Sequence, residues 1–351
     1  MIDYADAHMN LPPPMPRWLE AMFPGGMRRR MIDVGDGLQM HVAEWGSEAP
    51  EARPVLMVHG NPSWCFLYRK VVADLLADRT CEGLIRSPLP PLRLVVPDLI
   101  GLGCSDKPHD ASMHTLENHG RWLGAALDAL DLRDLVYVGQ DWGGPVGLHA
   151  LSSRLDRVRG MVILNTVPGP PKEGFRATSF HRFARMPIVS ELVFRGLGFP
   201  QNTMAIAQGD KTSIVGRAAL GYWWPLRHLR DRVAPLALAR MVPDSMHHAS
   251  IAPLRVCQDT VTSFRGPVAI VWGDRDPVLG GVIGHMRRLL PHATVTRTRG
   301  GHFLQEEVPG PIADAIRDVV LRSDSSARGA PEAQDARDAI VRKDRADRPA
   351  S

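Results

Sequence analysis

The chain runs to 351 residues, 44% of them hydrophobic, with 42 basic against 38 acidic side chains and a formal net charge of +4. That length bounds one large buried core, or one core carrying an insertion. The near balance of charge leaves no footprint for nucleic acid, and Arg28-Arg29-Arg30 reads as a solvated basic turn. Four scattered cysteines, Cys65, Cys81, Cys104 and Cys257, form no CxxC pair. This fits free thiols in a reducing compartment and supports neither a disulfide framework nor a structural metal. Neither a secretory signal pattern nor an apolar run of membrane-spanning length occurs, so the expected setting is cytoplasmic.

Residues 1–30 read as an N-terminal arm, rich in Pro and Met as far as Pro24, with Trp18, Leu19, Met22 and Phe23 forming an apolar turn for packing on the body or on a partner. Strand-like alternation begins at Met31 and resumes from Leu38 to Trp45 across the hairpin signal Gly35-Asp36-Gly37. Val55 to Val58 is a short apolar run of the kind found in a strand covered on both faces, and it ends at His59-Gly60-Asn61-Pro62. A helix is expected from Leu67 to Leu76, then a loop through Asp78, Arg79 and the Pro-rich Ser87 to Pro91. Leu92 to Val96 is another buried strand, and Leu116 to Leu130 a helix with Leu116, Trp122, Leu123, Ala126, Leu127 and Leu130 largely on one face. Leu135 to Val138 is a strand running into Gly139-Gln140-Asp141-Trp142-Gly143, followed by a helix from Gly144 with Pro145 in its first turn. Met161 to Leu164 closes this run of β-α-β units, which points to a parallel sheet with helices on both faces.

The pattern breaks after Asn165 and returns with strands at Val268 to Trp272 and Thr294 to Thr298 and a helix from Ile312 to Leu321. The expected organisation is therefore an α/β core in two parts, 31–167 and 266–322, with a helical lid over 168–265 between them. Residues 323–351, rich in Ala, Asp and Arg and poor in large apolar side chains, read as a disordered tail.

The segment Gly139-Gln140-Asp141-Trp142-Gly143 has the form G-x-D-x-G, a nucleophile elbow with Asp in the central position. Such a turn needs small neighbours because the strand reverses sharply into a helix, which exposes the central side chain at the sheet edge. His302, after two glycines and the last strand, stands where the base of such a site falls in chain order. Gly273-Asp274-Arg275-Asp276-Pro277 ends the strand before it and offers an acid to hold the imidazole. Asp276 is the first choice and Asp274 the second.

The segments His59-Gly60-Asn61-Pro62-Ser63-Trp64, Asp98-Leu99-Ile100-Gly101-Leu102-Gly103-Cys104-Ser105-Asp106-Lys107-Pro108 and Gln140-Asp141-Trp142-Gly143-Gly144-Pro145 together resemble the haloalkane dehalogenase family. The resemblance covers about Gly35 to Leu321 and implies the α/β-hydrolase fold, a mostly parallel sheet flanked by helices with an inserted helical lid. Gly101-x-Gly103 lacks the third glycine and the setting of a dinucleotide loop, so no nucleotide cofactor is expected, and no metal either. The resemblance further implies that Asp141 attacks an sp3 carbon, that His302 activates water against the resulting ester, and that Asn61 and Trp142 bind the oxyanion and the departing halide.

Some family members carry the acid just after the strand that precedes the lid. Here that position reads Leu164-Asn165-Thr166, which favours Asp276 on the later strand. This arrangement resembles the third branch of the family and also the β-lactone decarboxylases of long-chain olefin biosynthesis, which act on cis-3-alkyl-4-alkyloxetan-2-ones. Phe180, Phe183, Tyr222 and Trp223 in the lid imply an apolar roof over Asp141 and a hydrophobic small-molecule substrate. Epoxide hydrolysis is a weaker reading, since it needs two lid tyrosines and only Tyr222 lies there. A non-catalytic binding protein on the same fold is the remaining class. The terminal segments are candidates for homo-oligomer formation or assembly with partner enzymes.

Overall fold

The computed structural model describes residues 11–77, 89–172, 174–175 and 177–324. The start of the expected arm, Asp78, Arg79, Cys81, the beginning of the Pro-rich stretch and the expected tail from 325 onward lie outside the described residues.

Eight strands form one sheet: β1 (Arg28–Asp33), β2 (Gln39–Gly46), β3 (Arg53–Val58), β4 (Leu92–Pro97), β5 (Leu135–Gln140), β6 (Val158–Leu164), β7 (Val268–Gly273) and β8 (Thr294–Thr298). Their order is β1-β2-β4-β3-β5-β6-β7-β8. β1 and β2 pair antiparallel, as do β2 and β4, and every pairing from β4 to β8 is parallel. The helices are α1 (Arg17–Glu20), α2 (Arg69–Leu76), α3 (Leu116–Ala129), α4 (Gly143–Leu151), α5 (Ser179–Ala184), α6 (Val189–Glu191), α7 (Arg217–Trp223), α8 (Val233–Arg240), α9 (Ile251–Ser263), α10 (Ile283–Leu289) and α11, over 309–324. The expected tail thus begins inside α11 at Ser323 and Asp324.

Two apolar layers sandwich the sheet. Within β5, Leu135 and Tyr137 join the layer under α3, α4 and α9, while Val136 and Val138 join the layer under α2 and α11. This alternation is the period of two that a pleated strand imposes. Because both faces are covered, β5 reads as an unbroken apolar run rather than an alternating one. Each large side chain so buried contributes about 1.5–3 kcal/mol. Thr115 caps α3, its hydroxyl accepting from Asn118 N at 3.1 Å.

Two expectations need correction. Arg28-Arg29-Arg30 is not a turn but the first half of β1, in register with Glu44, Ala43 and Val42 of β2. Arg30 pairs with Glu44 at 3.0 Å, Arg28 with Glu48 at 2.8 Å, and Arg29 donates to His41 Nε2 at 3.0 Å. Charge count alone cannot distinguish a basic turn from an edge strand whose partner carries the acids. The helix expected from Leu67 opens instead as a buried 3-10 turn, Cys65–Tyr68. The apolar turn at α1 packs on the body: Phe23 lies 5.4–6.1 Å, centroid to centroid, from Trp45, Trp64 and Phe66.

The insertion between β6 and β7 contains helices and no strand among the described residues. No described helix is long and apolar enough to cross a membrane.

Candidate active site

Asp141 sits between β5 and α4 at φ +49, a left-handed conformation uncommon for a side chain with a Cβ. The crossing backbones explain the glycines beside it. A Cβ on Gly143 would stand 2.2 Å from Val58 O, and one on Gly60 would stand 2.3 Å from Asp141 Oδ2. The turn is also tied from below: Thr166 Oγ1 donates to Asp141 O at 2.6 Å, and Asp141 N donates to Asn165 O at 3.2 Å.

The side chain of Asp141 keeps 18% exposure. Its Oδ2 accepts from Asn61 N at 2.8 Å, and its Oδ1 lies 3.7 Å from His302 Nε2. On the far side of the ring, His302 Nδ1 is 2.9 Å from Asp276 Oδ2. Asp276 accepts two more hydrogen bonds, from Asn165 Nδ2 at 2.8 Å and Val278 N at 2.7 Å. The structure therefore brings Asp141, His302 and Asp276 into one line. Asp274, the second choice for the acid, instead pairs outward with Arg297 at 3.0 Å.

Burial raises the Asp141 pKa, against the pull of His302 and of the Trp142 and Asn61 backbone N–H groups, and the net shift is upward. Burial would lower that of His302, but the hydrogen bond and charge of Asp276, with the charge of Asp141, raise it overall. Burial likewise works against ionised Asp276, yet the bonds from His302, Asn165 and Val278 leave its pKa lowered. An imidazole between two carboxylates is thus biased toward the proton-bearing form.

Trp142 is 8% exposed, and its indole N–H has no hydrogen-bond partner among the described residues. Asn61 differs: its Nδ2 donates to Pro235 O of α8 at 3.0 Å, while its Oδ1 is buried without a partner. Pro235 O is acceptor-only, so it fixes which way this amide faces. Three of the four expected roof residues have defined partners, and the fourth is exposed. Tyr222 donates to Glu306 Oε1 at 2.5 Å and packs edge-on against Phe66. Trp223 lies under the Arg232 guanidinium, Phe183 joins Phe194 and Phe199 in a separate cluster, and Phe180 is 40% exposed.

Asn165 is the residue that sequence reasoning passed over. It registered only as a missing carboxylate, yet its amide bridges Gly273 N, Gly273 O and Asp276 Oδ2. A neutral isostere of Asp at the end of β6 was the available signal. Nearby, His41, Cys65 and Asp98 bring ligand atoms within 4.8 Å of one another. Asp98 is already engaged by His41 Nδ1, Cys65 N and Cys104 N at 2.6–2.8 Å. Gly103 serves that cluster, since a Cβ there would meet the Asp98 carboxylate at 2.2 Å, whereas one on Gly101 would meet Ala234 at 2.4 Å and His114 at 2.7 Å.

A family model of the alpha/beta hydrolase fold matches residues 53–309, and this chain carries that fold. Haloalkane dehalogenase 2 of Mycobacterium bovis is 31% identical over 271 residues, covering 75% of this chain and 86% of that relative. The haloalkane dehalogenase of Psychrobacter cryohalolentis is 28% identical over 296 residues, 82% of this chain and 89% of its own length. The crystal structure of the haloalkane dehalogenase DatA from Agrobacterium tumefaciens C58 aligns with a TM-score of 0.72 at 26% identity, over 86% of this chain and 99% of that one. The chain belongs to the haloalkane dehalogenase family.

Proposed function

We propose that this chain hydrolyses a carbon–halogen bond of a hydrophobic small molecule through an ester on Asp141. The observation that carries the reading is the line from Asp276 through His302 to an Asp141 carboxylate that is partly exposed and held by Asn61 N. An Asp141 oxygen attacks the sp3 carbon, a C–O bond forms, and the C–X bond breaks with its electron pair leaving on the halide. His302 Nε2 then takes a proton from water as the water oxygen adds to the ester carbonyl. The backbone N–H groups of Asn61 and Trp142 receive the oxyanion. Collapse breaks the bond to the alkyl oxygen, which takes the proton back from His302 and leaves as the alcohol, and loss of a proton to solvent regenerates the Asp141 carboxylate. Asp276, aided by Asn165, holds the ring and stabilises its charged form. The unpartnered indole N–H of Trp142 suits the departing halide.

A second reading, decarboxylation of a disubstituted β-lactone to an alkene and carbon dioxide, is favoured by one observation. One Asn61 amide N–H is already committed to Pro235 O, which leaves a smaller donor set for a halide. The epoxide reading is disfavoured because the Tyr222 hydroxyl is spent on Glu306. Halide release from 1-bromo- and 1-chloroalkanes, run beside carbon dioxide release from a synthetic dialkyl β-lactone, separates the two leading readings. Turnover of neither, with ligand binding retained, leaves the binding-protein reading.

A further inference from the structure

The α5–α8 insertion shows an exposed aliphatic stripe. Ile188 is 81% exposed, and Leu192 and Leu197 are each 61% exposed. Leu192 N donates to Ile188 O at 2.8 Å and Leu197 N to Leu192 O at 2.9 Å, so the three exposed residues follow one another at one-turn spacing along this segment. The short 3-10 turn Leu229–Asp231 packs beside this segment and adds Leu229, 60% exposed. A contiguous row of bare aliphatics on a folded surface marks an interaction face.

The charge around the stripe indicates its partner. Residues 168–265 hold 13 Lys and Arg against 6 Asp and Glu, although the whole chain has a net charge of only +4. The insertion is therefore strongly basic while the rest of the chain is slightly acidic. Arg182 and Arg217 are exposed with no carboxylate partner among the described residues, and Arg230, 77% exposed, reaches only Asp231 at 3.7 Å. A two-fold contact with a second copy would set this basic surface against itself. A sheet of anionic headgroups over acyl chains satisfies both the arginines and the aliphatics.

We propose that the Ile188–Leu192–Leu197 stripe, flanked by Arg182 and Arg230, docks the insertion on an anionic lipid surface. The contact is peripheral: the aliphatic side chains enter the headgroup boundary and the arginines stay at its phosphates. Pro235, whose carbonyl holds the Asn61 amide, belongs to the same insertion, so docking would place the lipid surface on the part of the molecule that reaches the site.

The test is co-sedimentation of the full chain with vesicles of equal phosphatidylglycerol and phosphatidylcholine, and with vesicles of phosphatidylcholine alone. The expected result is binding to the anionic vesicles only, weakened at least ~10-fold by raising salt from about 0.05 to about 0.5 M. The triple variant Ile188→Ser/Leu192→Ser/Leu197→Ser and the pair Arg182→Glu/Arg230→Glu should each weaken it at least ~10-fold. Circular dichroism checks that the variants are folded; should the triple variant fail to fold, Ile188→Ser alone replaces it. Absence of wild-type binding, binding indifferent to lipid charge and salt, or full binding by the apolar variant overturns the proposal. So does a light-scattering mass above one chain that the apolar variant reduces, which would assign the stripe to contact between copies.

Discussion

At Asp141, burial disfavours the charge that the chemistry requires, while His302 and two backbone N–H groups restore part of it. Removing that charge while keeping the shape isolates its contribution: Asp141→Asn should lower turnover by at least ~1000-fold with thermal stability retained. Undiminished turnover would remove Asp141 from the mechanism. The pH profile tests the neighbouring ring. Water activation needs neutral His302, whose pKa is raised above its usual 6.5, so hydrolysis should rise with pH through a midpoint above 6.5. Asp276→Asn removes the negative charge that raises this pKa and leaves only a neutral amide beside the ring. The midpoint should move to lower pH while kcat falls, and a midpoint that stays in place would deny Asp276 its role.

The elbow is where one added methyl group tells most at the scale of the elements. Gly143→Ala would drive a Cβ into the carbonyl of Val58, with β3 and β5 already fixed by their ladder. The expected cost is about 1–3 kcal/mol, measured as a fall in the urea midpoint at unchanged slope. Gly25, where an added Cβ would meet nothing within 4 Å, should accept Ala with a much smaller change. The elements around the elbow were largely legible because a doubly covered strand announces itself as an apolar run and G-x-D-x-G as a forced turn. β1 was legible only from Met31, because its first three residues are arginines whose partners, Glu44 and Glu48, lie in and just beyond another strand. The contribution of Asn165 was hidden for the same reason, since Asp276 lies 111 positions further along the chain.

Across the whole molecule, the insertion is joined to the core by a buried polar network. Glu306, four residues after His302, accepts from the Tyr222 hydroxyl of α7 and is paired with Arg69 and Lys70. Tyr222→Phe removes one charge-assisted hydrogen bond and leaves Glu306 with its two cations. It should cost about 1.5–3 kcal/mol and speed amide hydrogen exchange across Arg217–Trp223 ahead of the sheet. Exchange unchanged there would mean that apolar packing alone seats the insertion. The sequence by itself determined the layered α/β architecture, the elbow with Asp141 and the late histidine, because each follows from local periodicity or from steric demands within a few residues. Only the tertiary structure decided that Asp276 rather than Asp274 faces His302, that Asn61 is shared with Pro235, and that Tyr222 turns to Glu306. Those outcomes depend on which side chains meet across long stretches of chain, and a buried polar group takes whichever partner the fold delivers.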